Sequence, residues 1–126
     1  MNDNIKKSIL VVDDDEEVLA VLEEVLIYSD FKVKAMRQAN DILNIIDDYK
    51  PDLVLMDYIL TGVNGGEICH YIKTNPQTSG IPVIIISAYP RVLESLGTYG
   101  CNAFIAKSFN ISDLISGIND CFLLTT

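Results

Sequence analysis

Polar residues that could do chemistry follow directly on four short apolar runs of this sequence. The runs occupy positions 9–12, 53–56, 83–86 and 103–106, and the residues that follow them are Asp13, Asp14, Asp57, Ser87 and Lys107. Uninterrupted apolar stretches of this length are typical of strands that are buried on both faces of a parallel sheet. Ligands of such sheets bind beyond the carboxyl ends of the strands, so these five side chains are predicted to converge on one edge.

The predicted cluster combines three carboxylates, a hydroxyl and an ammonium. Carboxylates that are crowded together repel one another unless a cation lies between them. Hard oxygen ligands of this kind suit Mg²⁺, with Mn²⁺ as the alternative ion. A metal ion, a nucleophilic carboxylate, a hydroxyl and an ammonium together indicate the transfer of a phosphoryl group to an aspartate.

The size and the charge of the chain narrow the class of protein. Its 126 residues, 49% of them hydrophobic, predict one domain over residues 1–126 with a single continuous core. The net charge of −9 argues against nucleic acid or an anionic membrane as a direct partner. The apolar runs are far shorter than the roughly 18 residues of a membrane span, and the N-terminal segment is too polar for a signal peptide. We therefore expect a cytoplasmic protein.

The chain has three cysteines, Cys69, Cys101 and Cys121. They do not lie at the spacing of metal ligands, and three cysteines cannot all pair within one chain. We interpret them as small buried or half-buried side chains of a protein from a reducing compartment. The sequence pattern contains no indication of a redox role.

Strand and helix patterns alternate five times along the chain. Strands are predicted over residues 8–12, 31–36, 52–56, 81–86 and 103–106, and helices over 16–28, 39–48, 67–74, 91–96 and 111–124. A turn-rich loop is predicted over residues 61–66. This alternation predicts an α/β fold, a doubly wound parallel sheet with right-handed crossovers and helices on both faces. Periodicity alone does not give the order of the strands.

Two of the predicted helices carry more specific expectations. Asp15 precedes the first helix and is its predicted N-cap, since aspartate is favoured at that position. Four residues of the last helix recur at helical spacing and are predicted to face inward: Ile111, Leu114, Ile115 and Ile118.

These segments resemble the response-regulator receiver domain, the phospho-acceptor module of two-component signalling. The resemblance rests on four segments in the expected order, ILVVDDDEEV, PDLVLMDYILTGVNGGE, IPVIIISAY and CNAFIAKSF, and it covers residues 7–123. It implies a flavodoxin-like fold with the strand order 2-1-3-4-5, of which the chemotaxis receiver is an example. It also implies a signalling domain that assists its own phosphorylation and dephosphorylation rather than an enzyme.

The resemblance implies an acceptor and a metal site. Asp57 would take the phosphoryl group from a sensor histidine kinase or a histidine phosphotransfer protein. Asp13, Asp14, Asp57 and the backbone carbonyl of Ile59 would bind Mg²⁺. The downstream target would be a further protein, which the sequence does not identify.

The resemblance also implies roles for the residues around the acceptor. Lys107 and Ser87 would bind oxygens of the phosphoryl group. Ser87 and Phe104 would form the switch that responds to it. Ile59 and Tyr89 would flank the phosphoryl group and set its lifetime, and because neither side chain can position an attacking water, we expect slow self-dephosphorylation.

Two positions depart from the pattern of the family by lacking a proline. Thr61 lies in the loop after the acceptor, and Ser108 follows Lys107. A cis bond before a residue other than proline costs about 3 kcal/mol, so the Lys107–Ser108 peptide is predicted to be trans.

The stretch between the last two predicted strands is shorter than is usual in the family. Pro90, Gly97 and Gly100 interrupt it. Proline and glycine both disfavour helix interiors, so the fourth helix, over residues 91–96, is predicted to be short or irregular.

Each site residue also has a structural interpretation when it is taken alone. The two aspartates after the first strand could cap the first helix, and Asp57 could form a turn at the end of a strand. Ser87 alone would be a turn residue, Phe104 a core residue and Lys107 a surface residue. The occurrence of all of them at strand ends favours the functional interpretation.

Two other functions remain open at this point. A phosphatase of the haloacid dehalogenase type also uses an aspartate nucleophile and Mg²⁺, but residues 13–17 place a glutamate where its motif has threonine or valine. A degenerate receiver would bind partners without being phosphorylated.

Overall fold

A parallel sheet organises the structure, a computed structural model that describes residues 6–60, 63–88, 101–107 and 109–124. The helices are α1 (Glu16–Tyr28), α2 (Ile42–Tyr49), α3 (Gly65–Thr74) and α4 (Ile111–Leu124). The strands are β1 (Ser8–Val12), β2 (Lys32–Met36), β3 (Leu53–Asp57), β4 (Ile59–Leu60), β5 (Val63–Asn64), β6 (Val83–Ser87) and β7 (Ala103–Ala106).

Five of the strands pair in the order β2-β1-β3-β6-β7, and every pair is parallel. Numbered along the chain within this sheet, that order is 2-1-3-4-5, which confirms the flavodoxin-like doubly wound fold. The order changes direction between β1 and β3, so the carboxyl ends of these two strands flank the crevice in which such sheets bind their ligands.

The alternation of side chains along the strands divides the core into two layers. The layer under α2 and α3 contains Leu10, Val12, Ile42, Ile46, Val54, Met56, Ile68, Cys69, Ile72, Val83 and Ile85. The layer under α1 and α4 contains Ile9, Val11, Leu19, Leu22, Leu26, Leu53, Leu55, Ile84, Ile86, Leu114, Ile118 and Cys121. Because both faces are covered, β1, β3 and β6 are apolar at successive positions, which is the pattern that the sequence showed.

The segment after β3 differs from the predicted loop. Strands β4 and β5 pair as a short antiparallel hairpin, and α3 begins at Gly65, two residues before the predicted start. The Gly65 amide donates a 2.6 Å hydrogen bond to the Tyr58 carbonyl. A Cβ atom at Gly65 would lie 2.5 Å from the Asp57 carbonyl oxygen, so this close approach of the two backbones requires glycine.

The start of α2 and the ends of β3 and β6 also differ from the predicted positions. Helix α2 begins at Ile42 rather than at residue 39, because Asp41 adopts a left-handed φ of 63° that the helix cannot include. Asn44 Nδ2 donates a 2.8 Å hydrogen bond to Asp41 Oδ1, which holds this turn. Strands β3 and β6 each extend one residue further than predicted, so that Asp57 and Ser87 are their last residues.

Helix α4 has the predicted bounds, but the prediction that four of its residues face inward is wrong for one of them. Leu114 and Ile118 are buried and Ile115 is half-buried, whereas Ile111 is 57% exposed. Ile111 is the first residue of the helix, and the packing of α4 against the sheet begins one turn later, at Leu114.

Several sequence predictions lie outside the described residues: the helix over 91–96, Thr61, Tyr89 and the bond between Lys107 and Ser108. No helix in the described ranges combines the length and the apolar character that crossing a membrane requires.

Candidate functional site

Three carboxylates meet at the carboxyl ends of β1 and β3. Asp13 and Asp14 follow β1, and Asp57 ends β3, which is paired with β1 up to the register of Val12 with Met56. One carboxylate oxygen from each aspartate lies within 4.8 Å of the other two. The structure thus brings together the three acids that the sequence placed at strand ends.

Asp13 is hydrogen-bonded to the residue that precedes α1. Its Oδ1 atom accepts a 2.9 Å hydrogen bond from the Asp15 amide. Asp15 is the N-cap of α1, as predicted, and its Oδ1 atom accepts hydrogen bonds from the amides of Glu17 at 3.0 Å and Val18 at 3.3 Å. Because Asp15 caps the helix, the carboxylates of Asp13 and Asp14 are not needed for that purpose.

Lys107 extends from the end of β7 to two of the carboxylates. Its Nζ atom lies 3.2 Å from Asp13 Oδ2 and 3.4 Å from Asp57 Oδ2. The Lys107 amide donates a 2.7 Å hydrogen bond to the Ser87 carbonyl, which fixes the start of the side chain beside β6. Burial lowers the pKa of Lys107, but the charges of Asp57 and Asp13 outweigh it and raise that pKa, so the ammonium is retained.

The charge of the site is not balanced by Lys107 alone. Burial and the neighbouring Asp13 carboxylate raise the pKa of Asp57 to about 6, although Lys107 acts in the opposite direction. Asp13 is fully buried, and its Oδ2 atom accepts no hydrogen bond from the described residues despite the nearby ammonium. A buried acceptor of this kind among carboxylate oxygens fits a hard divalent cation.

The remaining predicted residues border this cluster to different extents. Ser87 is 1% exposed and is paired in register with Ala106, the residue before Lys107. Phe104 is half-buried and packs on the core layer under α3, opposite Ile85 in the register of β6 with β7. The Ile59 backbone lies in β4, two residues after the acceptor, and Tyr89 lies outside the described residues.

Sequence reasoning did not single out Gly65 as part of the site. Its lack of a side chain lets the start of α3 approach the backbone of Asp57. The only signal in the sequence was a pair of glycines in a turn-rich stretch, which does not show that one of them faces the acceptor.

A family model described as the response regulator receiver domain matches residues 9–119 of this chain. The chain belongs to this family. This receiver domain therefore belongs to two-component signalling and not to the haloacid dehalogenase family. The assignment agrees with the strand order of the sheet and with the acidic cluster at its edge.

Curated relatives share the domain but differ in length. The DNA-binding response regulator MtrA of Mycobacterium tuberculosis is 30% identical over 118 residues, which are 92% of this chain and 50% of MtrA. The polar-differentiation response regulator DivK of Brucella anthropi is 28% identical over 89% of this chain and 93% of its own length. This receiver domain thus spans about half the length of MtrA and nearly the whole length of DivK.

Solved structures share the fold. The crystal structure of the response regulator protein TrrA from Thermotoga maritima, in complex with Mg²⁺-BeF, superposes with a TM-score of 0.83 and 24% sequence identity. The superposition covers 91% of this chain and 98% of TrrA. At this level of identity the likeness supports the fold of the receiver domain.

Proposed function

We propose that Asp57 accepts a phosphoryl group from a phosphohistidine of a sensor histidine kinase or a histidine phosphotransfer protein. A carboxylate oxygen of Asp57 forms the new bond to phosphorus while the phosphorus–nitrogen bond to the donor breaks. The released imidazole nitrogen then takes up a proton. Asp57 is suited to this role because it ends a central strand and is directed toward an ammonium instead of into the core.

The ion pair of Lys107 with Asp57 is the observation that carries the proposal. The ammonium lies 3.4 Å from Oδ2 of the Asp57 carboxylate. A group attached to Asp57 would bring its own oxygens within reach of the same ammonium. Lys107 therefore orients the incoming group and stabilises the negative charge on it.

The metal site of this proposal consists of Asp13, Asp14, Asp57 and the backbone carbonyl of Ile59. The three carboxylates cluster closely enough to bind one cation, and they provide hard oxygen ligands. Mg²⁺, or Mn²⁺ in its place, would neutralise charge on the transferring phosphoryl oxygens. The complex of TrrA with Mg²⁺-BeF supports this choice of ion for the family.

Ser87 and Phe104 are proposed to convert phosphorylation into a change of surface. Ser87 ends the strand next to the acceptor strand and is buried, so its hydroxyl can turn toward oxygens that are added at Asp57. The half-buried Phe104 ring can occupy the space that this movement leaves. An added phosphoryl group supplies the negative charge and the acceptor oxygens that drive the movement.

Ile59 and Tyr89 are proposed to give the phosphorylated form a long lifetime. Each follows a site residue by two positions, Asp57 and Ser87 respectively. Neither side chain carries an acid or an amide that could position a water molecule for attack on phosphorus.

The partners of this domain are proposed to be proteins. The net charge of −9 disfavours direct contact with nucleic acid or an anionic membrane, although MtrA is a DNA-binding response regulator. We propose a single receiver domain over residues 1–126 that acts in the cytoplasm as a signalling partner rather than as an enzyme. Its downstream target is a protein that distinguishes the phosphorylated surface.

The test is the intact mass of the protein after incubation with acetyl phosphate and Mg²⁺. The parent chain is expected to gain one phosphoryl group, and Asp57→Ala is expected to gain none. Asp47→Ala is the matched control, since Asp47 is exposed on α2, away from the site, and this variant should be phosphorylated like the parent. A parent chain that binds Mg²⁺ but gains no phosphoryl group would instead be a receiver that signals without phosphorylation.

A further inference from the structure

Two cysteines that are far apart in the sequence meet between α3 and β7. The Sγ atoms of Cys69 and Cys101 lie 2.7 Å apart, although 32 positions separate the two residues. We propose that these two thiols are a site of reversible oxidation and form a disulfide in the presence of a hydroperoxide. Cys121 does not belong to this pair, because it packs in the other core layer, under α1 and α4.

Both cysteines are positioned by structured neighbours. Cys69 lies in the middle of α3 and is completely buried. Cys101 directly precedes Asn102, whose amide donates to the Val83 carbonyl and whose Oδ1 atom accepts from the Val83 amide, both at 2.9 Å. These two hydrogen bonds anchor the residue before β7 to β6 and hold the Cys101 sulfur next to α3.

Lys73 lies on the same face of α3 as Cys69. It follows Cys69 by one helical turn, and its Nζ atom donates to the carbonyl oxygens of Ile81 at 2.6 Å and Ser79 at 3.3 Å. The hydrogen bond from Cys101 lowers the pKa of Cys69, and Lys73 lowers it further against the effect of burial. The same hydrogen bond, together with burial, raises the pKa of Cys101. Cys101 Sγ is the donor and Cys69 Sγ the acceptor of the hydrogen bond between them, so we assign Cys69 as the nucleophile and Cys101 as the proton donor.

The chemistry balances with one hydroperoxide and two thiols. The Cys69 thiolate attacks the hydroxyl oxygen of the hydroperoxide, the oxygen–oxygen bond breaks, and a sulfenic acid forms at Cys69. The hydroxide or alkoxide that leaves takes up a proton and becomes water or an alcohol. The Cys101 sulfur then attacks the sulfur of Cys69, the sulfur–oxygen bond breaks, and water leaves with the proton of Cys101. Two electrons pass from the thiols to the peroxide, and a dithiol reductant returns them by thiol–disulfide exchange.

Cys101 is half-buried, so a small oxidant can reach the two sulfurs from its side. Cys69 itself has no exposed surface, but its partner sulfur belongs to a residue that reaches solvent. A small oxidant can therefore approach from the side of Cys101, whereas a bulky alkylating reagent should react slowly with Cys69. The resulting bond would join α3 covalently to the segment just before β7, the strand that contains Phe104 and is followed by Lys107.

The experiment treats the full chain with hydrogen peroxide, quenches it, and counts the remaining thiols by alkylation under denaturing conditions and intact mass. We expect the three thiols of the parent to fall to one, and a dithiol reductant to restore all three. Peptide mapping without reduction should show a link between Cys69 and Cys101, and this measurement needs no variant. Mapping that finds Cys121 in the link, or sulfinic acid in place of a disulfide, would overturn the proposal.

Single variants test the two linked cysteines and the role of Lys73 separately. Cys121→Ser is the matched control and should still lose two thiols at the rate of the parent. Cys69→Ser and Cys101→Ser should each form no intramolecular link, with circular dichroism confirming that they fold. Lys73→Gln should lose thiols several-fold more slowly near neutral pH, and an unchanged rate would overturn the part assigned to Lys73.

Discussion

Lys107 Nζ lies 3.4 Å from Asp57 Oδ2 and 3.2 Å from Asp13 Oδ2, so a single ammonium bridges the proposed acceptor and a proposed metal ligand. The two carboxylates come from different strands, and the lysine comes from a third. The ammonium lowers the pKa of Asp57, which burial and the repulsion from the Asp13 carboxylate raise. It brings the charges of Asp13, Asp57 and Lys107 together in one small volume.

Replacement of Lys107 should slow phosphorylation without abolishing the metal site. We expect Lys107→Ala to reduce the rate of phosphorylation by acetyl phosphate about 100-fold, the scale found when one donor to a developing charge is removed. Mg²⁺ binding should persist, because the three carboxylates remain. The rate of mass gain at saturating Mg²⁺ is the measurement, and Lys32→Ala on the exposed edge strand is the control. Equal rates for the parent and Lys107→Ala would remove the lysine from the mechanism.

Neutralisation of Asp57 should stabilise the metal-free protein above pH about 6. The pKa of Asp57 is raised to about 6 in the folded chain, and the pKa of an aspartate in an unfolded chain is about 3.9. Between these values the folded state binds more protons than the unfolded state, so the free energy of unfolding falls as the pH rises through this window. Two pKa units correspond to about 3 kcal/mol, and we expect Asp57→Asn to gain about 1 to 3 kcal/mol at neutral pH.

Urea unfolding in EDTA, followed by circular dichroism, measures this gain. The advantage of Asp57→Asn over the parent should shrink toward about pH 4, where the carboxyl of the folded parent is protonated as well. Asp47→Asn on the exposed surface of α2 should show no such dependence on pH. A parent that is the more stable protein at neutral pH without metal would contradict the raised pKa.

Protons should compete with Mg²⁺ for the acidic cluster. Since the pKa of Asp57 is raised to about 6 without metal, we expect Mg²⁺ affinity to be about tenfold weaker at pH about 5 than at pH about 7.5. Isothermal titration calorimetry at the two pH values measures the difference. In Asp57→Asn the residual affinity should depend much less on pH, and a dependence equal to that of the parent would assign the titration to another group.

Gly65→Ala should disturb the acceptor through its backbone. The added Cβ would meet the Asp57 carbonyl oxygen at 2.5 Å, and this oxygen belongs to a strand that cannot easily move. We expect a loss of about 1 to 3 kcal/mol in the free energy of unfolding, which is typical of overpacking, together with slower phosphorylation. Gly80→Ala is the matched control, because nothing lies within 4 Å of the Cβ position there. Equal stability of the two variants would show that the contact relaxes without cost.

Ile59→Asn should shorten the lifetime of the phosphorylated form. An amide at this position can hold a water molecule near phosphorus, which the isoleucine side chain cannot do. We expect self-dephosphorylation to accelerate several-fold, measured as the loss of phosphorylated mass after removal of the phosphodonor. The same exchange at the exposed Ile111 of α4 is the control. A variant that loses phosphate no faster than the parent would count against the assigned role of Ile59.

Much of the fold could be predicted because the spacing of apolar residues along the chain indicates most of the strands and helices. The bounds of β1, α1, β7 and α4 agree with the predictions, since each has an apolar period or run with clear polar ends. The starts of α2 and α3 could not be predicted in the same way. One depends on the left-handed turn at Asp41 and the other on the contact of Gly65 with the backbone of Asp57.

The sequence by itself determined which side chains reach the edge of the sheet, because a polar residue that ends a buried parallel strand must emerge there. Asp13, Asp57 and Ser87 were predictable for this reason. Only the tertiary structure decided that Lys107 bridges two carboxylates, that the pKa of Asp57 is raised and that Cys69 lies beside Cys101. Those features depend on distances between separate elements and on the burial that packing creates, and neither quantity is set by the residues next to each other in the chain.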